Sequence, residues 1–298
     1  MKRFTLLTVT ALALVGSIAQ AQPRSLTESV LMPDNRLDLL DDPSRPANIT
    51  EDQFNAIIDR AVNIYMPLAE LQGAKIRSKK YWTSSTVNAS ADRQGNDWWV
   101  SFYGGLARRP EISLDGFALA ICHELGHHFG GFPFYKNDPW AANEGQSDYY
   151  AAEACSRMLW AKDLTENATA AEKVEKAPKE SCDKAWAGRA DQELCYRITT
   201  GAKTLAAVLA HGSMIGFDTP DPKKVMTTFD GHPAGQCRLD TYFQAALCGS
   251  KFDFTVIPGL KTPEGMASPE AEMDAGKYSC MAADMTMGKR PACWYHAR

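Results

Sequence analysis

The strongest hydrophobic pattern starts at Thr50. Phe54, Ile57, Ile58, Ala61, Ile64 and Tyr65 recur at the three-and-four spacing of an amphipathic helix. "TEDQ" opens it with the form of a capping box, Thr50 at the N-cap and Gln53 three residues on. "LQG" predicts its end near Gly73. The pattern then turns β-like. "IRSKKYW" and "STVNAS" are short runs, "RQGND" is turn chemistry, and "WWVSFYGGL" is dense in β-formers. A second helical stripe follows: Leu114, Phe117, Ala118, Ile121, Leu125 and His128. Ser113 serves as its N-cap, Asp115 suits its dipole, and Gly130 and Gly131 stop it.

A third helix is predicted from about Ala141 to Trp160, after the loop "FPFYKNDPW". Residues 163–181, rich in Lys, Glu and Ala, read as a solvated excursion. A helix over roughly 183–211, a loop over 216–235 and a short helix at "RLDTYFQAALC" complete the pattern. No internal repeat interrupts it. Several helices around one cluster of short strands predict an α+β fold: a helix-rich body with a small edge sheet beside the second helix.

Both ends depart from this periodicity. "MKR", an apolar run and "AQA" at Ala19–Ala21 predict a secretory signal peptide over residues 1–21, cleaved after Ala21, and hence a periplasmic or secreted protein. Residues 22–49, rich in Pro, Asp, Asn and Ser, predict an extended lead-in. The tail, from about residue 249, shows little periodicity. It holds Cys280 and Cys293 of the eight cysteines. An even count with no C-x-x-C pair, in an exported chain, predicts disulfides. Cys182 with Cys195 is a local clip, and Cys237, Cys248, Cys280 and Cys293 can tie the tail down. Cys122 and Cys155 either pair or are buried thiols.

The 298 residues carry a formal net charge of −4 and no basic block, which argues against nucleic acid and anionic membrane surfaces, and no second long apolar stretch predicts insertion of the mature chain in a membrane. The oligomeric state is not legible.

The candidate chemistry lies at "HELGH". His123 and His127, four apart on a helix, share a face and can bind one metal. Glu124, about 100° round, reaches a water at that metal without being a ligand. This is the zinc-protease pattern H-E-x-x-H. A catalytic zinc needs a third protein ligand and keeps one position open. "NEGQSDYYAA" supplies Glu144 and Asp148, again four apart: Glu144 as ligand, Asp148 as the partner that orients His123. The reverse assignment, Asp148 as ligand, stays open. His128 joins the apolar stripe as a structural residue. His211 suits a helix end, and His296 has no assigned role. Asn48, Asn88 and Asn167 fit N-x-[ST] but read as unused.

These motifs resemble the gluzincin metallopeptidases, whose hallmark is HExxH followed by ExxxD on a later helix. "NEGQSD" is similar to the form seen in thermolysin. The order "VNASADRQG", "WWVSFYGGLA", "HELGH", "EGQSDYYA" and "GHPAGQCRLD" looks closer to the family of the CAAX prenyl proteases, HtpX and the BepA-type periplasmic enzymes. The spacing from His127 to Glu144 is shorter than in that family, and its prenyl proteases' membrane helices have no counterpart. The resemblance implies a zincin-like fold, a single metallopeptidase-like domain over 50–298, and one Zn2+ per chain on His123, His127 and Glu144. Glu124 would be the general base, with His232 and Arg238 catalytic beside it. Asn88, Trp99, Ser101 and Gly104 would line the cleft and pair with an extended protein or peptide substrate. Two other functions fit the same residues: a catalytically latent, zinc-stabilised chaperone-like or binding protein of the envelope, and a zinc hydrolase of cell-wall bonds.

Overall fold

In a computed structural model, residues 29–40, 47–262, 265–281 and 285–297 are described. The predicted signal peptide lies outside them. Helix α1 spans Glu51–Leu71. Its capping box closes as the sequence predicts: Gln53 N–H donates to Thr50 Oγ1 at 3.2 Å, and Thr50 N–H to Gln53 Oε1 at 2.9 Å. Its buried stripe includes Phe54, Ile58, Ala61 and Tyr65.

One sheet of four strands lies beside the helices: β1 (Ser29–Val30), β2 (Lys75–Tyr81), β3 (Ala89–Gln94) and β4 (Asp97–Tyr103). Their order is β1-β3-β4-β2, with β4 parallel to β2 and antiparallel to β3. β1 pairs antiparallel with β3, Ser29 opposite Ala91 and Val30 opposite Ser90. Part of the predicted lead-in is therefore an edge strand.

After a single turn, α2 (Gly104–Ala107), the long helix α3 (Leu114–Phe129) carries the HELGH segment. Ser113 Oγ accepts Gly116 N–H at 3.1 Å as its N-cap. From Gly116 to Phe129 every residue of α3 is buried. The helix is therefore wrapped on all sides. Phe117 stacks on Phe54 and meets Phe102 edge-on, joining α1, α3 and the sheet in one core.

The predicted third helix starts later than expected. Ala142 forms a bridge with Phe134, and α4 runs Glu144–Tyr150, capped by Asn143, whose Oδ1 accepts Gln146 N–H at 3.0 Å. A π turn (Ala151–Cys155) leads into α5 (Ser156–Trp160). The excursion predicted at 163–181 instead contains α6 (Leu164–Thr169) and most of α7 (Lys176–Ala185). The single helix expected over 183–211 is broken: α7 ends at Ala185 and α8 covers Arg189–Leu209. The Cys182–Cys195 disulfide ties α7 to α8 across that break. Then come α9 (Gly235–Ala246) and, in the tail, α10 (Pro269–Gly276).

All eight cysteines are paired. Cys122–Cys155 joins α3 to the π turn, so the alternative of buried thiols is excluded; Cys237–Cys293 and Cys248–Cys280 fasten the tail. The tail is packed rather than draped: Trp294 is buried with its ring where a Cβ on Gly145 would sit, 2.2 Å away. Among the described residues no helix is long and apolar enough to cross a membrane.

The π turn also buries Glu153. Burial pushes its carboxyl up to about 8, opposed by the Arg290 and Arg157 guanidiniums. The unfolded chain ionises Glu153 near its ordinary 4.5, while the folded chain holds it neutral to about 8. Stability contributed by the neutral form is therefore full below 4.5 and is lost as pH rises through 8. Glu153→Gln should flatten this slope, with a difference on the order of 3–5 kcal/mol between pH 4.5 and 8. Urea midpoints of both proteins at pH 5 and pH 8 test it, and parallel pH profiles would sink it.

Candidate metal centre

The site begins with one close approach. A Cβ on Gly126 would lie 2.9 Å from Ser147 Cα and O, so only glycine lets α3 and α4 touch there. That contact brings the histidines of α3 to the carboxylates of α4. His123 Nε2 and His127 Nε2 are 3.1 Å apart. Glu144 Oε2 lies 3.3 Å from His123 Nε2, and Oε1 lies 3.7 Å from His127 Nε2. All three side chains are fully buried. Donors of a tetrahedral zinc bonded at about 2.0–2.1 Å are separated by roughly 3.3 Å. The three residues fit a small divalent cation.

Their hydrogen bonds point the same way. His123 Nδ1 lies 2.8 Å from Asp148 Oδ1, and His127 Nδ1 lies 2.8 Å from Ala142 O. A carbonyl only accepts, so His127 carries its proton on Nδ1 and presents the Nε2 lone pair. Burial holds that ring neutral, lowered to about 4. His123 behaves oppositely: burial alone would lower it, but Asp148 and Glu144 outweigh burial and raise it to about 9. Glu144 is held well below the usual carboxylate range, because His232, His123 and His127 outweigh the desolvation that would raise it. Its Oε2 has no hydrogen-bond partner. The point between the three donors is thus built for one positive charge, either a proton on His123 or a metal in its place.

Asp148 is itself braced. Arg238 Nε donates to its Oδ2 and Nη2 to its Oδ1, both at 2.7 Å, and Tyr242 OH donates to Oδ1. Arg238 and Tyr242 are four apart on α9, one helical face. Asp148 stays below its ordinary value, as Arg238 and His123 outweigh its burial.

Of the residues named from sequence, His123, His127, Glu144 and Asp148 converge here. Glu124 is buried on the same helix. His232 Nε2 is 3.5 Å from Glu144 Oε1 and donates to Val30 O at 2.7 Å. Arg238 sits behind Asp148 rather than in the cleft, as a positioning residue. Trp99 and Ser101 lie on β4, which is already paired on both edges, by β3 and β2, so neither offers a free edge. Gly104 packs on the Trp82 carbonyl, where a Cβ would come within 1.7 Å. Asn88 binds this chain's own Met32, accepting its N–H at 3.2 Å and donating to its O at 3.0 Å.

His128 is structural: its ring lies between Trp98 and Trp140, at 5.2 and 5.1 Å. Asn167 is buried and donates to Trp160 O at 2.9 Å, so its amide is not open to modification. Asp221, Cys237 and Cys293 also cluster, but the two sulfurs are bonded to each other and offer no thiolate.

Sequence reasoning missed three groups. Ser147 Oγ lies 2.9 Å from His127 Nδ1. Tyr135 OH donates to Glu144 Oε1, and Ser29 Oγ lies 3.0 Å from His127 Nε2 and 3.3 Å from Glu144 Oε1. Ser147 is legible in "NEGQSD" as a neighbour of both carboxylates. Nothing local marks Tyr135 or Ser29. A cleft of about 310 Å³ leads in from solvent, lined by Ser29, Val30, Tyr135, Asp138, Asp230 and His232.

No family model, curated protein or solved structure matches the chain.

Proposed function

We propose that this protein is an exported, zinc-dependent metalloendopeptidase of gluzincin type on a zincin-like fold. One observation carries the reading. Two buried histidine nitrogens and a buried glutamate carboxylate stand 3.1–3.7 Å apart, near the edge lengths of a tetrahedral site, and both far nitrogens of the histidines are held by acceptors. The four disulfides support an oxidising compartment.

His123, His127 and Glu144 would hold the zinc. Bound zinc supplies Lewis acidity, polarising a substrate carbonyl and making a neighbouring water acidic. The rest falls to the chain. Glu124 takes the proton of the attacking water on a carboxylate oxygen and delivers it to the leaving amine. His232, which donates to the Val30 carbonyl, would donate to the oxygen that gains charge once that carbonyl is displaced. Asp148, fixed by Arg238 and Tyr242, keeps His123 in the tautomer that exposes Nε2.

Zinc content by elemental analysis, together with cleavage of a casein-type substrate before and after chelation, tests this. One zinc per chain is expected, with activity lost on chelation and restored by zinc. Failure of a metal-replete preparation to hold zinc refutes the reading.

A further inference from the structure

The cleft holds a piece of its own chain. Three consecutive carbonyls of the lead-in are each taken by a side chain: Val30 O by His232 Nε2 at 2.7 Å, Leu31 O by Arg238 Nη1, and Met32 O by Asn88 Nδ2 at 3.0 Å. Leu31 N–H donates to Ala89 O at 3.0 Å on the β3 edge. Ahead of these, Ser29 Oγ stands beside two of the candidate metal ligands, 3.0 Å from His127 Nε2 and 3.3 Å from Glu144 Oε1, and 3.4 Å from Tyr135 OH.

These grips touch main chain, not side chains. They would hold any extended polypeptide laid antiparallel on β3, whatever its sequence. They include Asn88, which the family resemblance assigned to substrate, and His232, which it assigned to catalysis. β4 is covered on both sides and β2 is the far edge, so a peptide reaching the histidines along this sheet would pair with β3, where β1 lies with Ser29 against His127.

We propose that Ser29–Met32 is an internal substrate mimic that covers the metal, so that an extended peptide must displace Ser29 and Val30 from β3 to be cut. The inference rests on the metallopeptidase reading above and names its substrate geometry and its control. Leu31 and Met32 are buried in the core, whereas Val30 is half-buried. The mimic is therefore anchored at its inner end and opens at its outer end. A two-residue strand is a weak pairing, weak enough for a competing strand to replace.

The test uses the full zinc-loaded chain and the variant Ser29→Gly/Val30→Gly, which loses the hydroxyl and most of the strand preference. Zinc extraction by dipicolinate and casein-type cleavage are measured together. The expected variant still holds one zinc, gives it up at least tenfold faster, and cleaves at least tenfold faster at low substrate. Unchanged rates overturn the inference. So does a fall in zinc stoichiometry, since that makes Ser29 a support of the metal rather than a cover. A second measurement does not depend on the variant folding. In Glu124→Gln protein, saturating casein-type peptide should speed hydrogen exchange of the Ser29 amide, opposite Ala91 in the β1–β3 pair, while Leu31 stays protected. Exchange at Ser29 that ignores bound peptide overturns the inference. A wild type that takes up no zinc fails the metallopeptidase reading itself, whereas one that binds zinc but shows neither effect fails only this inference.

Discussion

Glu124→Gln is expected to retain one zinc per chain and to lose on the order of 10²–10⁴-fold in kcat, the range that a positioned proton-transfer group contributes. Glutamine has nearly the same shape, so the buried packing of α3 is kept. It cannot take a proton at neutral pH, so the attacking water is no longer activated. Glu124 is not among the three residues that converge on the metal position, His123, His127 and Glu144. Metal affinity and activity should therefore separate in this variant and fall together in His127→Ala. Zinc stoichiometry and kcat, measured on the same preparation, read the difference. Zinc retained with activity within tenfold of wild type would remove Glu124 from the mechanism and leave proton transfer to another group.

That separation was legible in the chain because it depends on one helix. The spacing of His123, Glu124 and His127 fixes their relative directions once the segment is helical, and the stripe from Leu114 to His128 makes it helical. The pair Glu144 and Asp148 was readable for the same reason. What brings the two helices together was less so. Gly126 and Ser147 meet only because their helices pack, and a glycine in "HELGH" gives no sign of its partner.

The sheet was legible as strands but not as an order. "WWVSFYGGL" is the richest β stretch, and the family resemblance implied that it faces substrate. Its richness instead reflects burial: Trp98, Val100 and Phe102 are buried in a strand paired on both sides. The edge went to Ser29–Val30, a dipeptide too short to show any period. Local pattern also failed at residues 163–181. Their charge density hid two helices whose support comes from α8: Asn167 and Asp163 meet Arg197, and Cys182 meets Cys195. Those are long-range facts, and a short window cannot hold them.

Arg238→Met should weaken zinc binding by about 10–100-fold, the usual cost of removing a partner behind a metal ligand, and destabilise the metal-free protein by about 3–5 kcal/mol, as expected when one member of a buried ion pair is lost. Arg238 is buried, with its two-pronged contact to Asp148 made at 2.7 Å on each side. Without it, Asp148 remains a buried carboxylate facing His123 and Tyr242, with its main positive neighbour gone. Its carboxyl then rises toward the neutral form, which holds His123 Nδ1–H less firmly and leaves Nε2 free to turn from the metal position. Methionine fills the volume, so the loss reads charge and hydrogen bonding rather than a cavity. Arg238→Lys is the sharper companion. It restores a charge but not the planar fork, and should recover stability more than zinc affinity. Competition against a chelator of known affinity and urea unfolding of the metal-free chain give the two numbers. Equal zinc affinity in wild type and Arg238→Met would mean that Tyr242 alone orients Asp148. The same variant also frees Leu31 O from its Arg238 contact. Hydrogen exchange at Leu31 in Arg238→Met should therefore rise even without substrate, coupling the brace behind the metal to the strand that lies over it.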